Sequence, residues 1–291
     1  MMRSYLQASD GTMRCGLSPD ELRQALADPG NLLWVDIENP QDLEIELLLE
    51  VFELHPLTVE DSIMPNLRPK LEEFDHYLFV ILQGLSRSDG RLHATELDLC
   101  LGKNFLITVR SESMRSIEEL CTRVERGSPI IKRGADFLFY AIADSLIDSY
   151  FPILDEVEAR VDELETKLLK DSSREILREL LGVHSELMVL RRTLAPHREI
   201  LSRLHRGDLP LITPTNRHYF GDIYDHLLRM SDLADSCREV TTLSLDVYAM
   251  IVSNRLNEVM KTLTAMATLA LPLIVITGIF GMNFGEHPEL G

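Results

Sequence analysis

Cysteine is scarce: the 291 residues hold four, at 15, 100, 121 and 237, with no C-x-x-C pair. So dispersed a set excludes a disulfide framework and points to a reducing compartment, which puts the soluble part of the chain in the cytosol. Common catalytic motifs are missing too. The nine histidines form no H-E-x-x-H, and there is neither a P-loop nor a G-x-G-x-x-G. The sequence therefore offers no catalytic constellation. Basic residues are few, 29 against 47 acidic ones, for a net charge of −18. That balance excludes nucleic acid as a partner, because neutralising phosphates takes clustered Lys and Arg. An acidic surface attracts divalent cations, although solubility alone selects the same composition.

Long uncharged runs are absent with one exception. From Leu263 to Phe280 the chain reads LTAMATLALPLIVITGIF, without Asp, Glu, Lys, Arg or His. A membrane-spanning helix needs about 20 mostly apolar residues, and Thr262 and Gly281 complete that length. A core helix would carry a polar face; here only scattered Thr interrupts the apolar residues. Pro272 sits mid-run, where it would cost a water-soluble helix about 3 kcal/mol. In a membrane bundle, neighbouring helices and Thr hydroxyls can serve the Thr268 carbonyl that it leaves free. The run is too late in the chain for a signal peptide. The expectation is a large acidic body on the N-terminal side of one transmembrane helix, residues 263–280.

Within residues 1–134, short strand-like and helical runs alternate irregularly, which predicts an α/β cytosolic domain with a mixed sheet. Residues 1–16 show no clear period. Ser18-Pro19-Asp20-Glu21 predicts a helix start, with Ser18 as N-cap, Pro19 in the first position and Glu21 closing a capping box. Strands are expected at 31–37, 77–82, 93–101 and 105–109, and a helix at 112–125 with Ile117, Leu120, Cys121 and Val124 inward. Glu72, Glu73 and Asp75 read as a solvated face.

Residues 135–213 predict an antiparallel helical hairpin. Its first member is one long helix over 136–170, with Val157, Val161, Leu164 and Leu168 on the apolar side. Its second starts at Arg174 and faces the first with Leu177, Leu181, His184, Met188, Arg191 and Leu194. A cytosolic stalk helix over 214–262 follows, continuous with the span. Ile223, Leu227, Met230, Ala234, Cys237 and Thr241 space out a coiled-coil-like seam, and at about 1.5 Å per residue the rod is about 75 Å long. Stepping by three or four from Asn257 gives Met260, Thr264, Ala267, Leu271, Ile274, Gly278 and Met282, a narrow face without charge. In a symmetric ring this face would make a dry constriction that gates by dewetting. On the residues alone, plain helix-to-helix packing accounts for it equally well.

The segment Ser253–Phe284, SNRLNEVMKTLTAMATLALPLIVITGIFGMNF, resembles the first transmembrane helix and filter of the CorA family of magnesium transport proteins. The hallmark is Gly281-Met282-Asn283 at the outer end of an uncharged span, preceded by Asn257-Glu258-Val259-Met260-Lys261 and followed by Glu286, Pro288 and Glu289. The similarity extends upstream through His55-Pro56-Leu57, Glu60-Asp61, Arg68-Pro69-Lys70, Asp144-Ser145-Leu146 and Tyr224-Asp225-His226.

The resemblance implies a homopentamer in the cell (inner) membrane, in which five copies of this helix line one pore. Gly281, Met282 and Asn283 would form the selectivity filter, with a ring of Asn283 amides holding a Mg²⁺ that keeps its tightly bound water. Asn257, Leu263, Leu271 and Ile274 would line the pore below it; some members carry a polar Thr where Ile274 stands. Glu286 and Glu289 would concentrate cations at the mouth. Asp222, Asp144 and Asp89 would bind regulatory Mg²⁺ between subunits. Co²⁺ and Ni²⁺ are further cargo the resemblance implies. Its partners are thus other copies of itself, divalent cations and the lipid membrane. The family has a second transmembrane helix after the outer loop; this sequence stops at Gly291, inside that loop, so a multi-pass parent protein is expected. Two alternatives are a zinc transporter of the same superfamily, against which Met282 argues, and a membrane-tethered metal sensor or scaffold without transport.

Overall fold

A computed structural model describes residues 1–64, 68–88, 90–170, 172–207 and 209–281. Seven strands run β1 (Met2–Gln7), β2 (Met13–Cys15), β3 (Leu32–Glu38), β4 (Lys70–Glu73), β5 (Tyr77–Ser88), β6 (Arg91–Gly102) and β7 (Phe105–Arg110). They form one sheet in the order β2-β1-β3-β7-β6-β5-β4. Among the described residues only β3 and β7 pair in parallel; every other neighbouring pair is antiparallel. The sheet is therefore mixed, as the irregular alternation predicts.

Helices α1 (Pro19–Ala27), α2 (Asp42–Glu50) and α3 (Pro56–Ile63) belong to the layer whose core holds Leu22, Leu48 and Val59 with Leu33, Ile37, Ile81 and Val109 of the sheet. Helices α4 (Arg115–Glu125), α5 (Ala135–Asp148), α6 (Tyr150–Leu168), α7 (Arg174–Arg206) and α8 (Arg217–Phe280) supply the second core, with Trp34, Val80, Leu99 and Leu106 of the sheet. Both faces of β3 and β7 are covered, which is why they read as continuous apolar runs rather than alternating ones.

The local signals that gave these elements are in place. Ser18 and Glu21 form the expected capping box, with Pro19 opening α1. Ile117, Leu120, Cys121 and Val124 are buried on α4. Val157, Val161, Leu164 and Leu168 are buried on α6, and the seam from Ile223 to Thr241 is buried on α8.

Other expectations need correction. Residues 1–16, which show no period, hold β1 and β2; β1 is a covered strand whose Ser4 and Gln7 are buried among apolar neighbours, so polarity there does not alternate. Leu71 alone anchors β4, a charged edge strand. Its Glu72 pairs with Lys70, and Glu73 with Arg203. The single helix expected over 136–170 is two, parted at Ser149. Pro152 lies in the first turn of α6, where a missing N–H leaves nothing unpaired, and the Ser149 hydroxyl donates to the Leu146 carbonyl.

Over its first four turns the inward face of α7 is also one residue away from expectation, whereas Leu194 is buried as expected. Ile176, Leu180, Val183, Leu187 and Leu190 are buried, whereas Leu181 is 52% exposed. Adjacent pairs such as Leu180-Leu181 and Leu187-Met188 offer two apolar phases, and tertiary contacts choose between them. One such contact is His197, fully buried, whose Nε2 accepts the Gln83 N–H of β5 at 3.0 Å. Burial pushes this imidazole down to about 4, so it is neutral at physiological pH and keeps that lone pair for the strand.

Candidate functional site

Two regions of α8 carry the candidate site residues. The first is an acidic cluster where α8 passes α5. The buried side of α5 is set by Phe139, Ile142, Ala143 and Leu146, each 0–1% exposed. This leaves Asp144 half-buried at the surface of the body, with Asp148 one turn further on and exposed. Asp222 projects from α8, and His226 of the same helix stands between the two elements. Its Nδ1 is 3.7 Å from Asp148 Oδ1 and its Nε2 is 3.9 Å from Asp222 Oδ2, both beyond hydrogen-bond reach.

Burial pushes the Asp144 carboxyl up, and the charges of Asp148 and Asp222 push it the same way against the opposing His226. The Tyr140 hydroxyl beside them is raised to about 12, first by burial and then by Asp144 and Asp222. Among the described residues no Lys or Arg pairs with these three carboxylates. The cluster thus carries surplus negative charge, the donor chemistry that suits Mg²⁺. Still, no group of three or more metal-binding side chains is close enough to hold an ion among the described residues. A cleft of about 900 Å³ opens beside the cluster, lined by Tyr140, Asp144 and Asp148 and, across it, by Gly84, Ser86 and Thr95 of the sheet.

So the structure sets Asp144 and Asp222 near each other on α5 and α8 of one chain, whereas the resemblance implies sites between subunits; Asp89 lies outside the described residues. Sequence reasoning missed Asp148 and His226. Each stands four residues beyond an expected site residue on a helix, on the same face, and that spacing was the available signal.

The second region is the C-terminal half of α8. The helix is unbroken from Arg217 to Phe280, with Pro272 inside it. Gly281 closes it, its N–H donating to the Thr277 carbonyl at 2.9 Å. Asn257, Leu263, Leu271 and Ile274 are all exposed, the three apolar ones by 60%, 64% and 67%. At 3.6 residues per turn these four positions, with Gly281, fall within an arc of about 120° on one side of the helix. A shallow groove runs along it, lined by Leu263, Thr264, Ala267, Thr268, Leu271 and Pro272. The Thr268 hydroxyl donates to the Thr264 carbonyl and that of Thr277 to the Leu273 carbonyl, so these two hydroxyl groups are satisfied within the helix. Met282, Asn283, Glu286 and Glu289 lie outside the described residues.

Among the described residues two helical stretches are long and apolar enough to cross a membrane, Ala135–Leu168 and Arg217–Phe280. They differ in surroundings. Half of the most apolar part of the first is buried in the body, whereas none of that of the second is, at a mean hydropathy of 2.2 against 1.3. The first is a core helix pair, and the second is the candidate span.

A helix half packed in an α/β body and half bare and apolar is the layout of a chain anchored in a membrane by that helix, and family comparison says which kind. The family model described as CorA-like Mg²⁺ transporter protein matches residues 29–291. The chain belongs to the CorA family. CorA proteins are transporters, not enzymes. The cobalt/magnesium transport protein CorA of Thermotoga maritima is 35% identical over 268 residues, which is 90% of this chain and 76% of that one. The putative metal ion transporter YfjQ of Bacillus subtilis is 35% identical over 257 residues, covering 88% and 80%. The complete structure of the CorA magnesium transporter of Methanocaldococcus jannaschii superposes with a TM-score of 0.81 at 26% identity, over 98% of this chain and 88% of that one. The mixed sheet, the long helices and the bare C-terminal half of α8 are therefore the CorA arrangement.

Proposed function

We propose that this chain is the subunit of a homopentameric channel that carries Mg²⁺, and with it Co²⁺ and Ni²⁺, across the cell inner membrane. The observation that carries this reading is α8 itself: one unbroken helix, seated in the body at its start and bare and apolar from Leu263 to Phe280, in a chain of the CorA family. In this reading residues 1–134 and 135–213 form the cytosolic body, 214–262 the stalk, 263–280 the first span, and 281–291 the filter and the start of the outer loop.

The physical chemistry of each part follows. Mg²⁺ gives up water reluctantly and demands octahedral oxygen geometry. A ring of neutral Asn283 amides hydrogen-bonds that hydration shell without stripping it, and being neutral it also lets the ion go. Glu286 and Glu289 raise the local cation concentration, and a second amide ring at Asn257 meets the ion at the cytosolic end. Between them Leu263, Leu271 and Ile274 form dry constrictions. When the ring is narrow, water and its ion are excluded; a small splay of the five rods lets them in.

Regulation by cytosolic Mg²⁺ follows from the acidic cluster. Asp144, Asp148 and Asp222 carry uncompensated charge, and a single subunit supplies too few ligands to hold an ion. A neighbouring copy, supplying Asp89, would complete the shell. Mg²⁺ bridging two subunits holds the ring closed, and its loss lets like charges part them.

The test is Mg²⁺ uptake into proteoliposomes under a magnesium gradient, repeated with Asn283→Ala. Uptake by the unaltered protein that falls by tenfold or more in the variant supports the channel. A protein that inserts and passes no Mg²⁺ overturns it. For the regulatory part, Mg²⁺ should protect the protein from protease, and Asp222→Lys should remove that protection; an unchanged response would take Asp222 out of the sensor.

A further inference from the structure

Between Arg191 and Arg206, α7 carries five arginines and one glutamate, a local reversal of sign in a chain of net charge −18. Arg198, Arg203 and Arg206 line a concave groove of about 460 Å³ with Ser202 and Glu199, and Tyr224 of α8 closes its far side. Positions 198, 199, 202, 203 and 206 recur at three- and four-residue steps, so they share one helix face. Arg203 is held in place by the Glu73 carboxylate at 2.8 Å and the Leu71 carbonyl at 3.1 Å. Arg198 and Arg206 have no ion pair or hydrogen bond among the described residues. Two guanidinium groups therefore stand unneutralised beside a third that is fixed.

Helix-dipole compensation explains part of this. Arg203 and Arg206 lie in the last turn of α7, where cations are favoured. That effect fades beyond the last turn, so it does not reach Arg198, two turns earlier, and it requires no concavity.

We propose that this groove binds the phosphate groups of a soluble polyphosphate of the nucleoside triphosphate class. A planar guanidinium offers paired N–H donors that match phosphate oxygens two at a time. The volume is within the range of small-molecule sites. The Ser202 and Tyr224 hydroxyls add donors, and the Tyr224 ring gives a base a surface to stack on. A lipid headgroup offers the same phosphate chemistry, but distance opposes it. Tyr224 and Leu263 stand on one unbroken helix, and at 1.5 Å per residue the groove is about 60 Å from the start of the apolar run. That is many times the screening length of about 8 Å at physiological ionic strength. The ligand is therefore a solute of the compartment around the body.

The experiment is calorimetric titration of the full chain in detergent with ATP and, separately, with inorganic tripolyphosphate, at low and at physiological salt. A third arm measures co-sedimentation with phosphatidylglycerol vesicles. One saturable site for both solutes is expected, weakening as salt rises. Arg198→Ala and Arg206→Ala should each weaken it by about tenfold or more, from the loss of a charged hydrogen bond. Both side chains are exposed and unpaired, so the melting temperature should hold. Arg191→Ala, on an exposed arginine outside the groove, should bind as the parent does. No saturable binding of either solute, equal binding after both groove substitutions, or arginine-dependent binding to vesicles alone would overturn the proposal. Mg²⁺ uptake by the same preparation is read independently, so loss of this site and loss of the channel reading are distinguishable.

Discussion

The two ends of the molecule treat the same residue types in opposite ways. In the body, Trp34, Phe79, Val80 and Ile107 are 0% exposed, covered by the chain's own sheet and helices. In the far half of α8, Leu263, Leu271 and Ile274 are 60–67% exposed. Residue type does not separate these side chains; what surrounds them does. The body is a finished core, whereas the far half of α8 is a surface awaiting cover. Two kinds of cover are required. From Leu263 onward the run is uncharged and lipid can serve. Just before it, Met250, Leu256, Val259 and Met260 are 58–64% exposed among Asp246, Arg255, Glu258 and Lys261. A charged segment cannot hide those side chains in a bilayer, and in the proposed assembly neighbouring copies of α8 cover them. Burial changes along α8 at a definite place. Ser244 is the last buried residue on it, and Leu243 beside it is already 57% exposed.

The largest effect that would break this contrast comes from placing a charge in the bare half. Leu271→Arg should abolish Mg²⁺ uptake and cost about 2.5–3.5 kcal/mol in membrane insertion, while leaving the melting of the body unchanged. A fall in the stability of the body would mean that the two halves are not separate in their packing.

Next is the converse experiment in the body. Arg110 is fully buried and pairs with Asp36 at 3.1 Å and Glu118 at 2.7 Å. Arg110→Ala leaves Asp36 in the core with Arg3 as its remaining cation. The expected loss is about 3–5 kcal/mol, read by urea unfolding.

A smaller effect sharpens the picture of the sheet. Asp98 of β6 is 3% exposed and its Oδ1 has no hydrogen-bond partner. Burial pushes this carboxyl well above its ordinary range, and the neighbouring Glu96 carboxyl pushes it further. Folding therefore takes up a proton. The stability linked to Asp98 is complete below the ordinary carboxylate pKa and is lost as pH rises toward the folded value, by about 1.4 kcal/mol per pH unit at most. Asp98→Asn should flatten that slope in melting curves taken across pH; an unchanged slope would assign it to other groups.

Much of the contrast was legible before the fold was known. The uncharged run, the seam from Ile223 to Thr241 and the capping box at Ser18 are local patterns, and each reads directly as an element. The elements that went unread are those fixed from outside. Nothing periodic marks β1, because its place beside β3 decides its burial. The choice between Leu180 and Leu181 as the inward residue of α7 depends on helices and strands far away in sequence. At the candidate site, Asp144 and Asp222 were visible through the family resemblance. Asp148 and His226 each stand four residues further along the same helix face, a spacing the sequence holds; that the two faces meet is set by the packing of α5 beside α8.

In the proposed assembly the bare half of α8 is covered by lipid and by copies of itself. Native mass spectrometry of the protein released from lipid nanodiscs tests this most directly. The predicted result is an assembly of five chains that survives release; a single chain, with no higher assembly at any protein concentration, would contradict it.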